Sequence, residues 1–142
     1  MGPVLFDTSL YIAALRAGDA AVVQLRRFSP AAPVWLSSIV LEELYAGAKP
    51  REARVVERLE RDFERALRIL VPNLRDWAQT GKLLSRLALK YGYERIGQSR
   101  LCNDALLAMS AARNGMTIIT VNERDFARLA EFHPFRWQVS LP

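Results

Sequence analysis

Short apolar runs alternate along this chain with segments whose apolar residues recur at helical spacing, and that alternation leaves few folds open. Pro3–Phe6, Val34–Leu36, Ile69–Val71, Met116–Val121 and Trp137–Val139 read as strands, the last at an edge. Helices are expected between them. The first runs through Leu10 to Leu15 and stops at Gly18, and a second, capped by Asp19, reaches Phe28 before a loop over Ser29–Pro33. Ser37 or Ser38 caps a third from Ile39 to Ala48, without a capping box. Arg51–Leu70 reads as one long helix with Val56, Leu59, Phe63, Leu67 and Leu70 inward, overlapping the strand at Ile69. Asn73 caps a helix that carries Trp77, Leu83, Leu84, Leu87 and Leu89 and ends near Gly92. Tyr93–Arg100 is polar and irregular. A helix with Asp104 near its start ends at the Asn114-Gly115 signal, and a short one spans Glu123–Glu131. The alternation predicts an α/β fold with a mainly parallel central sheet. With no repeat and no linker in 142 residues, a single domain over 1–142 is expected.

Composition removes several chemistries. No apolar run nears the roughly 18 residues of a membrane span, and the start lacks a secretory pattern, so a cytoplasmic protein with no membrane partner is expected. The single cysteine, Cys102, leaves no disulfide framework and no cysteine-rich zinc site. The single histidine, His133, excludes a His-pair ribonuclease and disfavours a Ser-His-Asp hydrolase. Neither GxxxxGK[ST] nor GxGxxG occurs, and no acid–x–Lys pattern accompanies the carboxylates. A phosphoryl-accepting receiver domain lacks its acid pair beside Asp7. The net charge of +5 is carried mostly by arginine, whose fork suits phosphate, although genome composition alone produces such a bias.

Acids remain, and they fall in telling places. Asp7 directly follows the first strand, Glu42 and Glu43 lie early in the helix after the second, and Asn122 and Asp125 follow a later one. Open α/β sheets bind ligands beyond the carboxyl ends of their strands, so these groups and Asp104 can share one rim. Carboxylates gathered there repel unless a cation neutralises them. An all-oxygen set favours Mg²⁺ or Mn²⁺, whose usual work in such a cluster is activating water against a phosphodiester.

Four segments carry a family resemblance: Leu5-Phe6-Asp7-Thr8-Ser9, Ser37 to Gly47, Asn103 to Ala108, and Thr120-Val121-Asn122-Glu123-Arg124-Asp125-Phe126. In this order they resemble the PIN-domain nucleases, and within them the VapC-type toxins of type II toxin–antitoxin systems. The resemblance implies a PIN-like three-layer fold. It also implies a Mg²⁺- or Mn²⁺-dependent endoribonuclease that forms a homodimer and is silenced by a small VapB-like antitoxin. Position by position, Asp7, Glu43 and Asp104 match the first three family acids; helical periodicity alone leaves Glu42 and Glu43 equivalent. The fourth position departs, with Asn122 where many members have Asp and an acid at Asp125. Asp7, Glu43, Asp104 and Asp125 are thus the candidate catalytic and metal-holding residues, with Thr8, Ser38, Thr120 and Asn122 as supporting polar groups.

Each residue has a plainer role to set beside this. Asp7, Thr8, Ser38 and Thr120 are possible caps, Asp104 suits a helix's first turn, and Asp125 is placed to pair with Arg124 or Arg128. Arg51, Arg54, Arg58 and Arg61 form a stripe able to track an RNA backbone. Glu57 with Arg61 and Glu64 with Arg68 would instead make it a salt-bridged solvent face. The apolar side of that helix offers a docking face for an antitoxin or second subunit, and Trp35, Trp77 and Trp137 read as core or interface. Two alternatives stand beside the toxin: an RNA-processing PIN nuclease without an antitoxin, and a non-catalytic nucleic-acid-binding or scaffolding module, which Asn122 mildly favours.

Overall fold

The computed structural model describes residues 2–27, 31–92 and 99–140. The chain runs β1 (Val4–Phe6), α1 (Thr8–Ala17), α2 (Asp19–Arg26), β2 (Val34–Ser37), α3 (Ser38–Gly47), α4 (Pro50–Arg65), β3 (Ile69–Leu70), α5 (Leu74–Tyr91), α6 (Ser99–Arg113), β4 (Thr117–Thr120), α7 (Glu123–Ala130) and β5 (Arg136–Val139). The five strands form one sheet in the order β3-β2-β1-β4-β5. Every pairing is parallel. The sheet is therefore wholly parallel, flanked by helices as a parallel sheet requires, because its crossovers must bury both faces. Val4, Leu5 and Phe6 are buried without alternation, as a central strand covered on both faces demands.

The order places the topological switch between β1 and β4. From β1 the chain steps outward through β2 to β3, then returns to the other side of β1 for β4. Phe6 is level with Ile119, and the Asp7 amide donates to the Ile119 carbonyl at 3.1 Å. One residue further along that register, Asp7 and Thr120 share a row at the carboxyl edge.

Two expected elements differ from the sequence reading. The helix read over Arg51–Leu70 ends at Arg65; Leu67 takes a left-handed turn with φ 57°, and Ile69–Leu70 pairs with β2 as β3. Leu67 is accordingly 83% exposed, not core, whereas Val56, Leu59 and Phe63 are buried as read. Those three pack into the protein's own core, and Leu59 with Val55 also lines a groove against α2. The helix around Asp104 begins at Ser99, so Asp104 sits in its second turn and Ser99–Arg100 is helical. The rest of the irregular stretch, Tyr93–Gln98, and the helix end and loop start at Phe28–Pro30 lie outside the described residues.

From Asp104 to Ala111 every residue of α6 is buried. A helix enclosed all round needs small side chains where others cross it, and Ala105, Ala108 and Ala111 supply them. Ser110 returns its hydroxyl to the carbonyls of Leu106 and Leu107 at 2.9 and 3.0 Å, so its burial leaves no donor unpaired. Gly115, at φ 65°, ends the helix at the expected Asn114-Gly115 signal. Trp137 packs on Phe126, whereas Trp77 is 56% exposed, which leaves only the interface half of the core-or-interface role read for it, and Leu89 is 78% exposed.

Candidate active site

Asp7 stands at the N-cap of α1, yet its side chain makes no capping hydrogen bond. Instead Oδ1 accepts from the Ser9 hydroxyl and Oδ2 from the Thr120 hydroxyl. The carboxylate is 5% exposed. An ionised carboxylate offers about four lone-pair positions, so two hydroxyl donors leave acceptor capacity on both oxygens. Thr120 in turn accepts from the Asn122 amide at 2.9 Å, tying the end of β4 to the end of β1.

Glu43 lies in α3, and its Oε1 accepts from Thr8 Oγ1 at 2.8 Å. Ser37 caps that helix, its Oγ accepting from the Ile39 amide at 3.2 Å, and the helix packs inward through the buried Ile39, Val40 and Leu44. Glu42, its neighbour, is exposed and outside the cleft. Asp104, 9% exposed, comes from the buried stretch of α6. Asp7, Glu43 and Asp104 line one cleft of about 490 Å³ together with Thr8, Ser9, Ile12, Ala13, Arg16 and Asn103. Three elements far apart in sequence thus deliver three carboxylates to one hollow at the switch between β1 and β4.

The fourth position is built differently. Asn122 caps α7, its Oδ1 accepting from the Asp125 amide at 3.5 Å. Its Nδ2 donates to Asp125 Oδ2 at 3.0 Å and to Asp104 Oδ2 at 3.4 Å. A neutral amide therefore stands between two carboxylates, and Asp125 meets Asp104 through Asn122, outside the cleft wall. Asp125 makes no ion pair with Arg124 or Arg128 among the described residues; Arg128 instead lies 4.7 Å over the Tyr91 ring. Ser38 opens α3 beside its cap and does not line the cleft.

The arginines of α4 stand apart from the cleft. Arg58 reaches Asp19 at 3.8 Å, and Arg51, Arg54 and Arg61 are exposed. Neither helical pair expected here forms among the described residues: Glu57 and Arg61 make no ion pair, and Arg68 lies beyond the end of α4.

Among the described residues no three Asp, Glu, His or Cys side chains converge closely enough to cage an ion directly. The cleft nonetheless suits a hydrated divalent ion. Mg²⁺ typically keeps several waters and takes only one or two protein carboxylates, which needs oxygens around a roomy hollow and not a tight cage. Asp7 and Glu43 are held by hydroxyl donors and Asp104 by the Asn122 amide, supporting bonds of the kind that orient carboxylates at metal sites.

Sequence reasoning passed over Ser9, Arg16 and Asn103. Ser9 was legible as a hydroxyl two residues after Asp7. Arg16 was legible only through helical spacing from Thr8.

A wholly parallel sheet with carboxylates gathered at its switch point defines an α/β protein built to work at the carboxyl edge. A sequence model of the PIN domain matches residues 4–132, and the chain belongs to that family. PIN domains are nucleases, which makes the chain's class a hydrolase of nucleic acid, and PIN nucleases generally use divalent metal ions. Solved structures share the fold. DNA-bound VapBC from Salmonella typhimurium is 23% identical over 98% of each chain, with a TM-score of 0.70. VapBC2 from Rickettsia felis, bound to a promoter DNA fragment, is 23% identical over 99% of this chain and 100% of that one, with a TM-score of 0.71. VapBC-1 from nontypeable Haemophilus influenzae is 22% identical over 98% of each, with a TM-score of 0.65. A comparison with curated protein sequences gave no match. No helix among the described residues is long and apolar enough to cross a membrane.

Proposed function

We propose that this chain is a cytoplasmic Mg²⁺- or Mn²⁺-dependent endoribonuclease and the toxin of a VapBC-type pair. The observation that carries the reading is the shared cleft of Asp7, Glu43 and Asp104 in a chain of the PIN family. These acids hold the ion, and Asp125 completes the set through Asn122. Bound there, a divalent ion supplies water of lowered pKa for in-line attack and stabilises the leaving 3′ oxygen. Ser9 and Thr120 keep the Asp7 oxygens aimed, Thr8 does the same for Glu43, and Asn122 keeps Asp104 and Asp125 apart. No histidine is required. The exposed Arg51, Arg54, Arg58 and Arg61 form a secondary basic track for RNA, and Ser38 supports the α3 end of the cleft.

An antitoxin partner is supported by the VapBC complexes that share the fold. A groove between α2 and α4 suits its segment, with apolar Val22, Val23, Val55 and Leu59 between Asp19, Arg26, Arg58 and Asp62.

The test is cleavage of a mixed tRNA and rRNA pool by purified protein in Mg²⁺ or Mn²⁺ and in EDTA, with Asp7→Asn and Asp104→Asn alongside. Cutting that needs the metal and disappears in both variants is expected. A folded, antitoxin-free protein that cuts no RNA would overturn the reading in favour of a binding module.

A further inference from the structure

Among the described residues, the cleft wall that carries three acids contains one cation, Arg16. Helix α1 takes it there. Thr8, Ile12 and Arg16 recur at four-residue spacing with Ser9 and Ala13 beside them, so one stripe of α1 lines the cleft. At 1.5 Å per residue, Arg16 lies roughly 13 Å along the helix from Asp7. It is exposed, and the described residues give it no hydrogen bond or ion pair. Asp19, the nearest acid in sequence, reaches Arg58 instead. Arg26, on the next helix, is committed to Asp62 at 3.0 Å and to the Phe63 ring at 5.0 Å.

An RNA strand entering this cleft brings a negative charge at every nucleotide against three carboxylates. A divalent ion compensates the phosphate it touches, but neighbouring phosphates still face the acidic wall. An unengaged guanidinium further along that wall meets the need, since its fork matches two phosphate oxygens at once. We propose that Arg16 binds a backbone phosphate flanking the scissile one and so sets how far the strand extends along α1. The assignment rests on the nuclease reading above and adds the direction in which the substrate lies. The competing role is a cation in the last turn of α1 offsetting the helix dipole; that role bears on stability and not on RNA.

The experiment measures binding of a fluorescein-labelled single-stranded oligouridylate by anisotropy over a range of salt, in Ca²⁺ and in EDTA. It compares the parent with Arg16→Ala, Arg16→Gln, Arg16→Lys and Arg136→Ala. Arg136 opens β5 at the amino end of the sheet, so its loss removes the same charge far from the cleft. One lost phosphate contact flattens the slope of log affinity against log salt by about 0.7 for a single strand. That flattening is expected in Arg16→Ala and Arg16→Gln, with the slope kept in Arg16→Lys and Arg136→Ala. An unchanged slope in the folded Arg16 variants, or an equal change in Arg136→Ala, overturns the assignment while a parent that still cuts RNA keeps the nuclease reading. A parent that neither cuts nor binds RNA overturns both.

Discussion

Asp7 shows how one side chain is turned from a local task to a distant one. A carboxylate at a helix N-cap ordinarily accepts from the amides of its own first turn. Here both oxygens are occupied by hydroxyls, one from its own helix and one from the end of β4, 113 residues away. A bond of that span ties the edge of β1 to the edge of β4 and sets the aim of the buried acid. Partners of metal-holding carboxylates typically matter about ten- to a hundredfold for metal affinity or activity. Thr120→Val keeps the shape and removes the donor, so metal-dependent cleavage should fall by about that factor, with a higher Mg²⁺ requirement in a metal titration. Ser9→Ala should act in the same direction, and Glu42→Gln, on an exposed side chain, should leave the titration where it is. Equal losses from Thr120→Val and Glu42→Gln would remove the special standing given to the Asp7 bond. These relations were only partly legible in the sequence. Asp7 followed its strand visibly and the family resemblance singled out Glu43, but the bond from Thr8 to Glu43 and the amide clamp at Asn122 needed three-dimensional contact between elements far apart in sequence.

At the scale of elements, α5 and α6 pack together, and their ends are joined by Asp76 and Arg113. Asp76 is 2% exposed; its Oδ1 and Oδ2 accept from Arg113 Nε at 2.9 and 3.0 Å, and Oδ2 also accepts from Nη2 at 2.8 Å. It also closes a reciprocal cap with Asn73 at the start of α5. Burial opposes ionisation of Asp76, but the hydrogen bonds from Arg113 and the Asn73 backbone and the Arg113 charge outweigh it, so its carboxyl titrates below the ordinary range. A carboxyl depressed in the folded state stabilises above its unfolded pKa of about 3.9, and that stability drains away as pH falls towards its folded value. Thermal melts should therefore lose stability below about pH 4 more steeply in the parent than in Asp76→Asn. Removing the partner is the harsher change. Arg113→Ala strands a buried carboxylate and should cost about 2 kcal/mol, less than the roughly 3–5 kcal/mol of a fully enclosed pair because Arg113 remains 34% exposed. The asparagine cap was legible from sequence; its arginine partner, 37 residues on, was not. The same blindness extended α4 to Leu70. Leu67 and Leu70 continue the helical spacing by chance, no glycine marks the break, and only the pairing of Ile69–Leu70 with β2 explains the turn at Leu67.

Taken whole, the molecule places its acids and its bare apolar surface on different elements. The fold and the acids were readable because a parallel sheet forces its working residues to the strand ends, where they stand out against apolar runs. Surface apolar residues carry no such marker, since helical spacing does not say which side is covered. Leu67 is 83%, Val71 62%, Leu74 84% and Trp77 56% exposed, all between residues 67 and 77 around the edge strand β3 and the start of α5. Leu74 and Trp77 are three apart on α5 and so share a face. Several large apolar side chains in one short stretch mark an association surface more often than chance exposure does. The homodimer that the family resemblance implies would be tested there first, since a symmetric pairing would set the same stretch against itself. A stable interface needs about 800 Å² per partner, more than two side chains provide, so neighbouring surface must contribute as well. Light scattering should then give twice the chain mass for the parent and a single chain mass for Leu74→Glu/Trp77→Glu, with the far-ultraviolet spectrum unchanged because both side chains are already in water. A parent that is monomeric at tens of micromolar, or a double variant that still dimerises, would move the interface elsewhere on the surface. Metal-dependent cleavage by the monomeric variant would then show whether one cleft suffices for the chemistry, as three acids from a single chain lead one to expect.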